Sequence, residues 1–356
     1  MTPRRVSVVG GGIIGLSIAW ECRRRGHEVT VHDPDPGNGA SHVAAGMLAP
    51  VGESYFGERE LTELLLESAR RWPAYARELA AASGRELGHR TEGTLQVGLT
   101  ADDLAQLRRL WTHQRELGTP VVSLDSEQLR EREPLLHPRA RGVLVESDHQ
   151  VDPRRVVAAL RTLVPVRPTA IGSLTELDAD ADTVVLAAGC ASAALAGLPV
   201  RPVQGTIVRL RGPVVLRHVI RGYADGRAVY LVPRADGEVL VGATVEERAD
   251  GHATAAGVRD LLRAATDLVP ELGEHALVEV STGHRPGTED NGPIVGELET
   301  AGARAPRLLV ATGHYRHGVL AAPYTAHAVA DLVDGRALPL LWAPFTPQRL
   351  SAGGAR

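Results

Sequence analysis

A buried strand that turns at once into a helix admits few folds, and Val6-Ser7-Val8-Val9-Gly10-Gly11-Gly12-Ile13-Ile14-Gly15 makes that turn. The apolar run is short enough for a parallel strand. Helical spacing follows, with Ile14 and Ile18 flanked by Ala19 and Trp20. Gly10, Gly12 and Gly15 stand at G-x-G-x-x-G spacing. The first permits a tight turn, the second lets backbone approach a pyrophosphate, and the third lets helix and strand pack closely. Phosphate oxygens would then sit at the helix N-terminus, where free N–H groups and the positive end of the dipole point outward. Such turns also join strands to helices with nothing bound, so two further features carry the reading. Gly26 stops the helix after Cys22-Arg23-Arg24-Arg25, with arginines in the last turn where they suit the dipole. A second strand, Glu28-Val29-Thr30-Val31-His32, ends at Asp33, about 20 residues past the glycines, where an acid accepts from a ribose 2′-hydroxyl and repels a 2′-phosphate. The pattern predicts an adenine dinucleotide other than NADP, with NAD and FAD both open.

Composition narrows the function classes. At 356 residues the chain has room for two domains and a full core. A net charge of −4 without a basic face leaves no footprint for nucleic acid. No apolar run reaches the roughly 18 residues of a membrane span. The chain passes from Arg4-Arg5 directly into strand without a signal-peptide pattern, so a cytoplasmic protein is expected. Cys22 and Cys190 read as buried structural thiols rather than a disulfide. All 39 side chains of the Lys and Arg kind are arginine, which excludes Schiff-base and pyridoxal-phosphate chemistry, since both need a lysine amine. The 14 histidines are scattered, without H-E-x-x-H or a cysteine–histidine cluster, and no metal site is expected.

The order of elements predicts a discontinuous domain. After a loop from Pro34 to Gly39, small residues crowd Ala40 to Pro50, a backbone suited either to lie against something flat or to pack tightly on a helix. A helix is predicted from Glu60 to Ser83, kinked or broken at Pro73. A strand within Thr91 to Leu99, polar-faced helices over Ala101 to Leu117 and Ser126 to Leu136, and a short strand from Gly142 to Val145 follow. Asp152 with Pro153 starts a helix through Leu163, and Thr183 to Gly189 reads as a buried strand ending in glycine. Period-two alternation then marks strands at Gln204 to Leu210, Ala228 to Pro233 and Glu238 to Ala243. A helix (Ala256 to Leu268), a strand (Ala276 to Ser281), a second glycine-ended strand (Arg307 to Gly313) and a helix (Leu320 to Leu332) complete the order, and the tail after Gly335 is expected to wrap the surface. The reading is an α/β fold in which a nucleotide domain is interrupted by a mostly antiparallel substrate domain. The predicted division assigns 1–80, 140–200 and 281–350 to the nucleotide, and 81–139 and 201–280 to the substrate.

Several stretches match a known pattern. Val6-x-Val8-x-Gly10-x-Gly12-x-x-Gly15 with Gly26, Val29-x-Val31 and Asp33 resembles the FAD-binding fingerprint of Rossmann-like domains. Val184 to Gly189 resembles the second, ATG-like element of that fold, which NAD dehydrogenases generally lack. Ala40-Ser41, Ala44-Ala45-Gly46-Met47-Leu48-Ala49-Pro50, Glu92-Gly93-Thr94-Leu95, Tyr230-Leu231-Val232-Pro233-Arg234 and Val241-Gly242-Ala243-Thr244 are similar to the glycine oxidases of thiamine biosynthesis. So are Arg285-Pro286-Gly287-Thr288 with Asp290-Asn291-x-Pro293, and Gly313-His314-Tyr315-Arg316-x-Gly318. From about residue 5 to 335, in order, the chain resembles the D-amino acid oxidase group of flavoenzymes.

That resemblance implies roles. Gly10, Gly12, Ile13, Ile14, Gly15 and Asp33 would hold the ADP half of a non-covalent FAD. Ala40, Ser41, Ala45, Gly46 and Met47 would pass beside the flavin ring, with Gly189 contributed by the second element. Gly313, His314, Tyr315, Arg316, His317, Gly318, Val319 and Leu320 would close over its pyrimidine end, where a helix start stabilises negative charge. Arg285 would pair with a substrate carboxylate, its planar fork matching two oxygens, while Arg316 adds a hydrogen bond and Tyr230 a hydroxyl. The plainer readings are an interdomain salt bridge for Arg285 and strand packing for Tyr230. Two departures, Val245 where methionine is common and His317 where asparagine is common, bear on substrate preference. His42 is off by one from the covalent-histidine pattern of related dehydrogenases. The implied activity is oxidation of glycine and similar amino acids, with sarcosine or D-amino acid oxidation by an oxidase or dehydrogenase as alternatives. A non-catalytic FAD-binding assembly protein is the alternative of a different class. Implied partners are a small amino acid, O2, further copies of the chain and a thiazole synthase receiving the imine.

Overall fold

The computed structural model describes residues 2–177, 181–213, 215–299 and 306–350. β1 (Arg5–Val9), α1 (Ile13–Arg24) and β2 (Glu28–His32) form the opening unit. α2 (Ala40–Val43), β3 (Met47–Leu48), α3 (Arg59–Ser83), β4 (Thr94–Gly98), α4 (Ala101–Glu116), β5 (Val122–Leu124), α5 (Ser126–Arg132) and β6 (Arg141–Val145) follow. β7 (His149–Gln150), α6 (Pro153–Arg161), β8 (Val166–Arg167), β9 (Thr183–Leu186) and α7 (Ser192–Ala196) lead into β10 (Arg201–Arg211), β11 (Val219–Ala224), β12 (Arg227–Pro233) and β13 (Glu238–Gly242). α8 (Ala255–Leu268), β14 (Ala276–Gly287), β15 (Ile294–Leu298), β16 (Arg307–Thr312) and α9 (Gly318–Val333) complete the order.

Two large sheets organise these elements. The first runs β15-β16-β9-β1-β2-β8 and is parallel apart from β15. Its strands come from the start, middle and end of the chain, which makes it the discontinuous Rossmann-like domain. The second runs β14-β10-β13-β12-β11-β4-β6-β5 and is antiparallel apart from the β11–β4 pair. By hydrogen bonding, β6 and the whole of β14 belong to this second sheet.

Local signals place the helix starts. Thr100 and Asp103 form a capping box at α4, Asp125 and Gln128 another at α5, and Asp152 with Pro153 starts α6. α1 carries no cap of this kind. α9 buries every residue but Gly318 and His327, and apart from the His327–Asp331 edge its faces are mostly apolar, as a helix in the centre of a core requires. Arg25 ties the end of α1 to the end of α9 through Asp331 at 2.7 Å and Asp334 at 2.9 Å.

Four features differ from expectation. α3 runs without a break through Pro73. Leu61, Leu64, Leu65, Trp72, Ala76 and Leu79 bury one face of it, and Ser68 Oγ and Trp72 Nε1 both donate to the Leu320 carbonyl of α9, so packing outweighs one missing helical bond. α5 stops at Arg132 because Glu133 turns inward, its Oε1 accepting from the N–H groups of Arg217 and His218. β14 extends to Gly287 because it pairs with β10 along its length. The tail carries a core residue, since Trp342 is fully buried.

Candidate active site

The strand-to-helix turn has the geometry that its glycines require. Gly10 sits at φ +109°, and a Cβ there would lie 2.6 Å from the Ala187 carbonyl carbon on the neighbouring strand connection. A Cβ at Gly15 would collide with the Gly10 carbonyl oxygen, so this glycine sets the closeness of α1 to β1. The α1 N-cap residue, Gly12, offers no side chain, and the first turn holds no acidic residue. Ser41 Oγ accepts the Ile13 N–H at 2.9 Å, which leaves its own proton free to donate. Asp33 accepts the Gly11 N–H at 2.6 Å and the Asp35 N–H at 2.8 Å. A carboxylate retains capacity for further donors after two such bonds.

This turn opens into a cavity of about 1160 Å³ that runs between the two sheets. Gly10, Gly12, Ile13, Ile14 and Asp33 line one end, followed by Ala40, Ser41, Ala45, Gly46, Met47 and Gly189. Tyr230, Arg285, His314, Tyr315, Arg316, His317, Gly318 and Val319 line the other. Three of the sequence-predicted residues lie off its surface. Gly15 serves packing, and Gly313 makes a left-handed turn at φ +72°. Leu320 has its side chain 1% exposed in the core and its carbonyl held by α3.

Arg285 projects from β14 over Gly205 of β10 and donates to the carbonyls of Gln204 at 3.3 Å and Thr244 at 3.2 Å. No carboxylate pairs with it among the described residues, which removes the interdomain salt-bridge reading. Its partners hold the guanidinium in place without neutralising it. Tyr230 of β12 faces Gly242 across the β12–β13 pair, and a Cβ at Gly242 would strike the phenol ring. Burial pushes the Tyr230 hydroxyl up to about 12, so it stays a donor at neutral pH. Arg316 lies over the Tyr315 ring, 5.0 Å from its centroid, and donates to the Tyr315 hydroxyl at 3.2 Å.

α9 begins at this end of the cavity, and its N-cap residue makes no side-chain capping bond. Its N-cap residue, His317, is buried with Nδ1 unpartnered, and burial holds its pKa below the ordinary range. His314 is paired with Thr325 Oγ1 at 3.1 Å, and burial brings its pKa down to about 3. Both imidazoles are therefore neutral at pH 7. Val245 lines the cavity as a half-exposed wall.

Sequence reasoning missed a polar group at the same end. Arg221 pairs with Glu53 at 3.0 Å, and Asn291 Nδ2 donates to Glu58 Oε1 at 2.8 Å, all four lining the cavity. Glu53 and Glu58 follow the small-residue stretch closely, which was an available signal. Arg221 lies on β11, a strand not foreseen. Beneath the Glu53 loop, buried Asp148 accepts the Gly52 N–H at 3.1 Å, and burial raises its carboxyl to about 7.

The profile of the FAD dependent oxidoreductase family matches residues 5–332. The chain belongs to the FAD-dependent oxidoreductases. This oxidoreductase is 34% identical to the glycine oxidase of Geobacillus kaustophilus, over 97% of this chain and 96% of that one. It is 35% identical to the bifunctional protein ThiO/ThiG of Synechocystis sp., across 98% of this chain, which spans 54% of that longer protein. The crystal structure of the Geobacillus kaustophilus glycine oxidase aligns with a TM-score of 0.87 at 33% identity, covering 96% of this chain and 98% of that one. FAD is the cofactor of this oxidoreductase, and the residues present suit it. The cavity joins a glycine cradle and a helix start without an acidic residue at one end to a second such helix start at the other. No helix among the described residues is long and apolar enough to cross a membrane.

Proposed function

We propose that this FAD-dependent oxidoreductase oxidises glycine and similarly small amino acids, sarcosine and small D-amino acids included, to their imines with reduction of O2 to H2O2. The observation that carries the reading is the Arg285 guanidinium, fixed by two backbone carbonyls and unpaired in a cavity lined by both helix starts. The relatives named glycine oxidase support it. Gly10, Gly12, Ile13, Ile14 and Asp33 would hold the ADP half of FAD, with Ser41, Ala45 to Met47 and Gly189 along its length. His314 to Val319 would meet its pyrimidine end. FAD, when bound, supplies the two-electron acceptor.

The chain's own residues supply orientation. Arg285 grips the substrate carboxylate through both arms of its fork, Arg316 adds charge at the mouth, and Tyr230 donates its hydroxyl. Fixing the carboxylate aims one Cα–H at the cofactor, and hydride departure from a neutral amine then needs no side-chain base. Glycine, O2 and water give glyoxylate, ammonia and H2O2 overall. Where the imine is not hydrolysed it can pass to a thiazole synthase, a hand-off supported by the ThiO/ThiG fusion of the relative. A cytoplasmic homo-oligomer belongs to the same proposal, as does the division into 1–80, 140–200 and 281–350 for the cofactor and 81–139 and 201–280 for the substrate, with Arg285 and Arg316 reaching the substrate from the cofactor segments.

The test is peroxide formation by the purified yellow protein with glycine, sarcosine and D-alanine. Glycine turnover that falls by several orders of magnitude in Arg285→Ala, with FAD retained, supports the reading. Near-normal turnover in that variant rejects it, and so does a flavin that no small amino acid bleaches under anaerobic conditions.

A further inference from the structure

Nearly every residue from Ala40 to Met47 lines the cavity. Little in this stretch makes it rigid: α2 is a single turn, and Gly46 takes φ +83°. Its order is imposed from behind. The Gly46 carbonyl accepts the Val151 N–H at 2.9 Å, and the His42 carbonyl accepts from Arg154 Nε at 2.8 Å. The Ala45 carbonyl accepts from Arg234 Nη2 at 2.7 Å.

Arg234 differs from an ordinary surface cation. It follows β12 directly, is 6% exposed, and does not line the cavity. Its Nη1 donates to Gln150 Oε1 and to the Val151 carbonyl, each at 3.2 Å. Met47 pairs with Gln150 in the β3–β7 ladder, so one guanidinium binds β7, the residue after it and the wall that leads into β3. All three acceptors are neutral, and no carboxylate lies within ion-pair distance among the described residues. Burial brings its pKa down to about 10, which leaves it charged at pH 7. A buried cation with neutral partners costs more than an apolar side chain of the same size. Arg234 therefore answers to something other than stability.

We infer that Arg234 is the positioning residue of the cofactor wall: by turning the Ala45 carbonyl away from the cavity, it sets the backbone of residues 45–47 against which FAD binds. The inference rests on the reading that this stretch lies beside FAD. It touches neither substrate nor cofactor itself, and its planar fork reaches three acceptors at once, which lysine cannot do.

The test uses the full chain stripped of FAD and titrated with it, following the dissociation constant, the visible spectrum of the bound flavin and the melting temperature of the apoprotein. Arg234→Met should weaken FAD binding at least about tenfold, the effect of losing one charge-assisted hydrogen bond, and should broaden the flavin bands. Arg234→Lys, which keeps the charge and one contact, should fall between Met and wild type, and it decides the matter alone if the Met variant does not fold. Wild-type FAD affinity and spectrum in these variants, with only the melting temperature lowered, overturns the inference. Ala45→Leu, which pushes bulk into the cavity from the wall, separates the two failures. If it weakens FAD while the Arg234 variants do not, the positioning role is wrong. If it too leaves FAD untouched, the wall does not face the cofactor, and both readings fall.

Discussion

Gly205→Ala puts the proposed substrate anchor under direct mechanical test. A Cβ at position 205 would lie 2.6 Å from Cζ of Arg285 and closer still to its two terminal nitrogens. An unstrained contact needs about 3.6 Å, so the guanidinium must retreat by about 1 Å. The retreat is cheap for the fold, because the group that moves is the end of a flexible side chain. Gly205 has no left-handed φ, and alanine in a strand interior is favoured over glycine by roughly 0.5–1 kcal/mol. For catalysis the retreat is expensive, since a misplacement of about 1 Å costs on the order of 100-fold. That factor corresponds to about 2.7 kcal/mol of transition-state stabilisation. The variant should melt at or slightly above the wild-type temperature, keep its FAD absorbance, and lose about two orders of magnitude in kcat/KM for glycine, read as peroxide. A kcat/KM within about threefold of wild type refutes the anchor. Loss of FAD together with activity refutes it also, because the methyl group would then be acting on the cofactor site.

Arg285→Lys keeps the charge but not the fork; kcat/KM for glycine should fall by about 100-fold or more, and near-wild-type turnover would show that a point charge suffices. Asp148→Asn tests the buried acid. Its folded pKa of about 7 lies above the 3.8 of a free carboxyl, so its contribution is fully present below about pH 3.8 and is lost as pH rises to about 7. Denaturation curves across that window should show the variant gaining on wild type by about 1.4 kcal/mol per pH unit and no further above it; parallel curves reject the assignment. Pro73→Ala restores a helical N–H in α3 at an exposed position, and the melting temperature should rise by the equivalent of about 1–3 kcal/mol. An unchanged or lower value would mean that the helix is already adapted to the ring.

The nucleotide half was legible because its signals are local. A glycine needed at φ +109°, a stop at Gly26 and a proline at the first position of α6 act within a few residues of themselves. The roles of Arg285 and Tyr230 came from resemblance, and physics alone left them as salt bridge and packing. What the geometry adds is long-range: the emptiness over Gly205 and the two carbonyls that hold the guanidinium belong to β10 and to the turn after β13. Arg221 was illegible for a related reason. β11 is short and its parallel partner β4 lies over a hundred residues earlier, so no periodicity within a local window marks it. The burial of the Leu320 side chain was illegible because a helix start shows which residues follow a loop but not which way each one faces. Pro73 shows the opposite limit, a strong local signal overruled by a packed face.

The position of β1 decides when this protein can become itself. β1 lies between β2 and β9, beyond β9 stands β16, and α1 packs against α9, to which Arg25 is bound across more than 300 residues. Without β9, β16 and α9, β1 has an unpaired edge and α1 an apolar face only partly covered, the condition that invites misassembly. A chain cut short before α9 would therefore carry the glycine turn without the second helix start that lines the same cavity.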